Sequence, residues 1–263
     1  RNLGRQPMSN DDRLAIIFNG EIYNFLEIRK TLTDKGYTFY TNTDTEVGLN
    51  AYKEWGDKCF NIFNGDWVIS ILDKVKKKII IAKDQIGSLP LYFYNDANLF
   101  AFSSEIKGLE PIANLQYDEN FIGLNSLTIS NFHGTKFKNV SQVKPGTYLS
   151  IDLENKKIDT LRWFSPLDNL VSIYPSYKQN QSEIFQRLYN ATKLRLNADI
   201  KVGTSLSGGL DSSIIFLIMN LIDSNEKITK VDLNPTIVNY DGNLTFNEAI
   251  QFSNLHERKY NLF

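Results

Sequence analysis

The ten residues Thr204-Ser205-Leu206-Ser207-Gly208-Gly209-Leu210-Asp211-Ser212-Ser213 set the tightest limit on how this chain can fold. Apolar Ile200, Val202 and Leu206 lead into Ser-Gly-Gly, and the run Ile214-Ile215-Phe216-Leu217-Ile218-Met219 follows at once. A short apolar approach, a glycine turn and a longer apolar run predict a buried strand, a tight turn and a helix. Glycines let backbone N–H groups approach an anion closely, and a helix start adds unpaired donors and the positive end of its dipole. Such a turn suits a phosphate. It is not a Walker loop, because no lysine follows the glycines. The same residues also fit an ordinary strand-to-helix turn in which Ser and Asp cap the helix.

The pattern around this turn is that of an α/β unit. Ser182 reads as the N-cap of a helix with Ile184, Leu188, Ala191 and Leu194 on one face. A strand near Pro235 to Asn239 and a helix near Phe246 to Leu255 follow the glycine turn, and this alternation implies a parallel sheet. The first 164 residues read differently, as short apolar runs punctuated by turn residues. Leu14 to Phe18 is a strand stopped by Asn19-Gly20. Phe25 to Lys35 and Glu46 to Trp55 are helices. Asp66 to Leu72 and Lys78 to Ala82 form a hairpin across Lys76-Lys77-Lys78. Leu91 to Tyr94 pairs with Leu99 to Phe102, and Gly146 to Ile151 is a further strand. The expected organisation is an α+β domain over 1–164, a polar linker with two prolines over 165–181, and an α/β piece over 182–263.

Charge and cysteine content narrow the function classes. Lys plus Arg number 29 against 30 Asp plus Glu, with no basic stripe, which argues against nucleic acid as a partner. The single cysteine, Cys59, leaves no internal disulfide or cysteine metal cluster. No apolar run approaches membrane-spanning length and no secretory leader starts at Arg1, so the cytoplasm is the expected compartment.

A second constellation is Phe18-Asn19-Gly20-Glu21-Ile22-Tyr23-Asn24. An amide side chain beside a glycine N–H supplies the two donors that an oxyanion hole needs, and Glu21 could hold an ammonium group. Asn-Gly is equally the signature of a hairpin turn, the reading these residues favour when taken alone. Thr43-Asp44-Thr45-Glu46 is either a helix cap or a cap whose Asp44 also grips an amine.

Several of these stretches share one family likeness. Gln6-Pro7-Met8, Phe18 to Asn24, Thr43 to Val47, Asn64-Gly65-Asp66-Trp67, Asp84 to Tyr92 and Ser103 to Lys107 resemble class II glutamine amidotransferase domains, of Ntn type. Leu206 to Ser213 resembles the pyrophosphate loop of ATP pyrophosphatases. The order of the halves is that of glutamine-hydrolysing asparagine synthetases. The resemblance implies a sandwich of antiparallel sheets with helices, then the start of a parallel α/β synthetase domain. It implies that Asn19 and Gly20 form the oxyanion hole, that Glu21 and Asp44 bind the glutamine amine, and that Leu206, Ser207, Gly208, Gly209, Asp211, Ser212 and Ile237 contact ATP. Mg²⁺ would accompany the nucleotide, with Asp211 a ligand. Glutamine, aspartate and ATP are then the small-molecule partners, a homodimer is compatible, and asparagine forms through an acyl adenylate with release of AMP and pyrophosphate.

The family's nucleophile is an N-terminal cysteine, expected upstream of Arg1. Cys59, in Gly56-Asp57-Lys58-Cys59-Phe60, reads instead as a small buried hydrophobe. The chain on its own is therefore expected to lack glutaminase activity. Lys83 stands where the family usually carries arginine, which removes a bidentate contact. Two other readings stay open: an amidoligase or β-lactam-type synthetase with another carboxylate acceptor, and a catalytically dead nucleotide-binding remnant.

Overall fold

A computed structural model describes residues 4–9, 11–119, 134–169, 176–198, 202–226, 236–237 and 261–262. The chain divides into two compact units, Arg1–Leu170 and Val171–Phe263.

The first unit is layered. Strands β1 (Leu14–Ile22), β2 (Gly65–Asp73), β3 (Lys78–Lys83), β7 (Thr147–Asp152) and β8 (Ile158–Arg162) form one antiparallel sheet in the order β1-β2-β3-β7-β8. A smaller sheet holds β4 (Tyr92–Asn95) between β5 (Phe100–Ser103) and β6 (Val140–Gln142). The run Ile79-Ile80-Ile81-Ala82 is apolar on both faces because both are covered. Ile80 and Ala82 join the core beneath helices α1 (Phe25–Asp34) and α2 (Asp44–Trp55), whereas Ile81 joins Val68, Leu91 and Val143 against the smaller sheet. Phe60, Phe63, Trp67 and Trp163 pack together in the first core, with the Trp67 and Trp163 rings stacked at 5.6 Å. Fully burying side chains of this size is worth about 1.5–3 kcal/mol each. The antiparallel sheets with helices expected of this part are present.

Two expectations require correction here. The first strand does not stop at Asn19-Gly20 but continues to Ile22, paired throughout with β2. In the second unit, helix α3 (Tyr177–Arg195) is capped by Ser176, whose side chain accepts from Gln179 N–H, not by Ser182. Both serines precede polar residues, and the exposed first turn of α3 carries no apolar period to separate them.

In that second unit β9 (Ser205–Leu206), β10 (Thr236–Ile237) and β11 (Asn261–Leu262) are parallel in the order β11-β10-β9, and α4 (Leu210–Glu226) follows β9. Leu188 of α3 packs with Ile218, Met219 and Ile222 of α4, while Ile184 is exposed. Ile200 and the helix expected over 246–255 lie outside the described residues. No helix among the described residues is long and apolar enough to cross a membrane.

Candidate active site

Strand β1 presents two faces. Ile16, Phe18 and Ile22 are buried under the helices, so Ile17, Asn19 and Glu21 share the opposite face. Gly20 lies between them with φ +124°, opposite Trp67. A Cβ added at Gly20 would fall on the Asp66 carbonyl oxygen and stand 2.8 Å from Trp67 Cα. The glycine is there for a close approach of two strands, not for a chain reversal. That disposes of the hairpin-turn reading of Asn-Gly.

Asn19 is exposed, and its Nδ2 donates to Ser104 Oγ at 3.4 Å, which ties the carboxamide to the segment after β5. A cavity of about 290 Å³ opens beside it, lined by Ile17, Asn19, Val68, Leu91, Phe102 and Ser104. Asp44 opens α2 and accepts from Ile22 N–H at 3.0 Å, joining the helix start to the strand end. Burial pushes the Asp44 carboxyl above the usual carboxylate range. Backbone donors at Ile22 and Thr45 and a hydrogen bond with Glu21 oppose that rise. Two carboxyl groups in contact favour a bound cation or a shared proton. Asn19, Gly20, Glu21 and Asp44 are thus brought to one end of β1.

Neighbouring residues hold this end in place. Thr43 caps α2 by accepting from Glu46 N–H, and the fully buried Glu46 accepts from Tyr40 N–H, Thr41 N–H and Thr41 Oγ1. Asp44 is therefore part of a capped helix and also reaches the strand. Asp84, also fully buried, accepts from the backbone N–H groups of Trp67, Ile86, Gly87 and Ser88. This fixes the loop whose Leu89 packs on Gly20. Sequence reasoning assigned no role to Asp66, Asp84, Ser88 or Ser104. The motifs containing them were visible, but the contacts that tie them to the strands, Asp84 to Trp67, Ser88 to Asp66 and Ser104 to Asn19, join residues 17 to 85 positions apart.

Cys59 is fully buried, and burial pushes its thiol well above the ordinary value. The thiolate is the nucleophilic form, so Cys59 is unsuited to attack.

The glycine turn after β9 closes on itself. Ser207 N–H donates to Ser212 Oγ at 3.3 Å, the Ser207 and Ser212 hydroxyls lie 3.1 Å apart, and Gly209 N–H donates to Ser207 Oγ at 3.4 Å. Gly208 has φ +84°. Leu206 is buried, and Ile237 is its direct partner on β10, so these two predicted residues are neighbours across the parallel pair. Asp211 is exposed in the first turn of α4. Backbone donors, two hydroxyls and a helix start suit a polyphosphate chemically. Among the described residues no cluster of three His, Cys, Asp or Glu side chains could hold a metal ion, so Asp211 fits Mg²⁺ only as one ligand beside phosphate oxygens.

Residues 1–164 match the glutamine amidotransferase domain family, and residues 183–233 match the asparagine synthase family. A putative asparagine synthetase [glutamine-hydrolyzing] 2 of Methanocaldococcus jannaschii is 34% identical over 82% of this chain and 45% of its own length. Asparagine synthetase [glutamine-hydrolyzing] 3 of Bacillus subtilis is 30% identical over 95% of this chain and 41% of its own. Among solved structures, the glutamine phosphoribosylpyrophosphate amidotransferase of B. subtilis aligns over 98% of this chain and 48% of its own, with TM-score 0.46 and 16% identity. The chain spans less than half the length of these two synthetases.

Proposed function

This chain belongs to the glutamine amidotransferase domain family, and we propose that the full-length polypeptide carrying it hydrolyses glutamine and uses the ammonia in ATP-dependent amide synthesis. Asparagine made from aspartate is the preferred product. The observation that carries this reading is the Asn19-Gly20 pair, held inside a strand beside the Glu21–Asp44 carboxyl pair. Glutamine would lie with its α-ammonium at Glu21 and Asp44 and its side-chain amide at Asn19 and Gly20. As a nucleophile adds to that amide, the carbonyl oxygen gains negative charge. The Asn19 Nδ2–H not used by Ser104 and the Gly20 N–H are the donors offered to it. Cys59 does not supply the nucleophile, and the proposal assigns that role to the longer polypeptide.

In the second unit Ser207, Gly208, Gly209 and Ser212 would hold ATP phosphates, with Leu206 and Ile237 on the strands behind them and Asp211 beside Mg²⁺. ATP supplies the activation of the acceptor carboxylate, with AMP and pyrophosphate as products. The chain's own contribution is the set of backbone and hydroxyl donors of the loop, whose internal bonds would be exchanged for bonds to phosphate oxygens. The names of the relatives, with the succession of the two family matches, support asparagine synthesis in particular.

The test is glutamate release from glutamine by the full-length protein, followed by pyrophosphate release with ATP and a panel of carboxylates. Release of glutamate together with aspartate-dependent pyrophosphate is expected. Pyrophosphate release with another carboxylate and none with aspartate would replace the acceptor. No glutamate release would remove the glutaminase reading.

A further inference from the structure

Asp66 lies directly opposite Glu21 across the β1–β2 pair. Cross-strand partners share a sheet face, so two carboxylates stand side by side, an arrangement that costs stability unless something offsets it. Both oxygens of Asp66 are occupied. Tyr23 Oη donates to Oδ2 at 2.9 Å, and Ser88 Oγ donates to Oδ1 at 2.7 Å. The two donors come from different places, Tyr23 from the turn just past β1 and Ser88 from the loop fixed by Asp84. The Asp66 carbonyl meanwhile leaves no room for a side chain at Gly20. Asp66 therefore flanks Glu21 on both sides, its carbonyl lying close to Gly20 and its carboxylate accepting from Tyr23, just past β1.

We propose that Asp66, with its Tyr23 and Ser88 donors, is a positioning residue that holds Glu21 for the α-ammonium group of the amide substrate and adds negative charge to that subsite. This rests on the glutaminase reading above. The hydroxyl donors fix both carboxylate oxygens, and a charge-assisted hydrogen bond is stronger than a neutral one. A brace of this kind discriminates between substrates. It favours a primary amide bearing an α-ammonium over the same amide without it.

The test compares glutamine with 4-carbamoylbutanoate, which keeps the amide and lacks the amine, in the full-length protein. In Asp66→Asn the KM for glutamine should rise about five- to tenfold with kcat within about twofold, and the KM for 4-carbamoylbutanoate should stay near the parent value. Ser88→Ala and Tyr23→Phe each remove one donor, and each should move glutamine KM the same way by about two- to fivefold. A lesion of the fold alone would change both substrates together. Parental preference for glutamine in Asp66→Asn overturns the inference while leaving the glutaminase reading intact. If Asp66→Asn does not fold, unchanged preference in both hydroxyl variants overturns it. A parent enzyme that releases no glutamate removes the underlying reading instead.

Discussion

The two candidate sites are built in opposite ways. At Asn19-Gly20 nearly every supporting contact is distant in sequence: Trp67 and Asp66 across the strand pair, Ser104 after β5, and Asp44 on a helix. At Ser207 to Ser212 the hydrogen bonds span two to five residues, and the turn supports itself. A site assembled over long range shares its residues with the core, so its substitutions should act on folding as well as chemistry. A locally closed loop should be separable from the fold around it.

Glycine substitution should separate them most sharply. In Gly20→Ala the new methyl meets the Asp66 carbonyl and Trp67 Cα at a positive φ, and relief requires β1 and β2 to part. A loss of stability above about 3 kcal/mol is expected. In Gly209→Ala the added Cβ meets Ser207 Oγ at 3.4 Å, an ordinary contact, and the expected change is within about 1 kcal/mol. All three tryptophans of the chain, Trp55, Trp67 and Trp163, belong to the first unit, so their emission during denaturation reports the Gly20 effect, and amide hydrogen exchange in α4 reports the Gly209 effect in the second. Equal losses in both variants would break the contrast.

Asn19→Ala should show the converse within the same site. Asn19 is exposed and its one side-chain bond is long, so unfolding should be little changed. Removing an oxyanion donor should lower glutamate release by the full-length protein by about 10²- to 10³-fold. Synthesis driven by added ammonia should be spared. Loss of ammonia-driven synthesis as well would mean that the two functions share a fold lesion.

At the self-closed loop, Ser212→Ala removes the group that meets Ser207 N–H, Ser207 Oγ and Gly209 O. Loss of these three bonds, at about 0.5–1.5 kcal/mol net each, corresponds to at least about tenfold in ATP-dependent pyrophosphate release, with glutaminase activity unchanged. A variant with lowered glutaminase activity would show that this loop is not separable.

The same contrast explains what could be read from the sequence. Lys78 to Ala82 announced a strand because its isoleucines fill two cores, and Ser207-Gly208-Gly209 announced a turn because its bonds are local. Asn19-Gly20 looked like a turn because positive φ at glycine is common to turns and to close strand contacts, and only Trp67 and Asp66 decide between them. Strand β8 has mostly exposed residues and carries no apolar alternation, so nothing in the sequence marked it. The bond from Ile22 N–H to Asp44, which gives the candidate site its corner, has no local signature at all.

Lys83 gives the smallest expected effect and sets a buried ammonium that has no ion-pair partner among the described residues beside buried carboxylates that backbone donors satisfy. It is 1% exposed, its cross-strand partner is Val68, and among the described residues no carboxylate lies within ion-pair distance of its ammonium. Burial lowers its pKa, opposed by the neighbouring charge of Asp84, whose own hydrogen bonds are taken by backbone N–H groups. A depressed lysine pKa means that the folded state binds the proton less tightly than the unfolded chain does. Below the folded-state pKa both states carry the proton and the full penalty applies. Between that value and the unfolded pKa of about 10.4 the unfolded chain binds more protons, so stability rises with pH. Lys83→Met should therefore be more stable than the parent at pH 7, by about 1 kcal/mol, with an advantage that shrinks as pH rises toward 10. Lys83→Arg keeps a charge that cannot be shed, so it should show no such gain at high pH. Tryptophan emission during urea denaturation at the two pH values checks both variants. A parent more stable than Lys83→Met at pH 7 would mean that the ammonium is satisfied where it lies, and that this unit buries no uncompensated charge at Lys83.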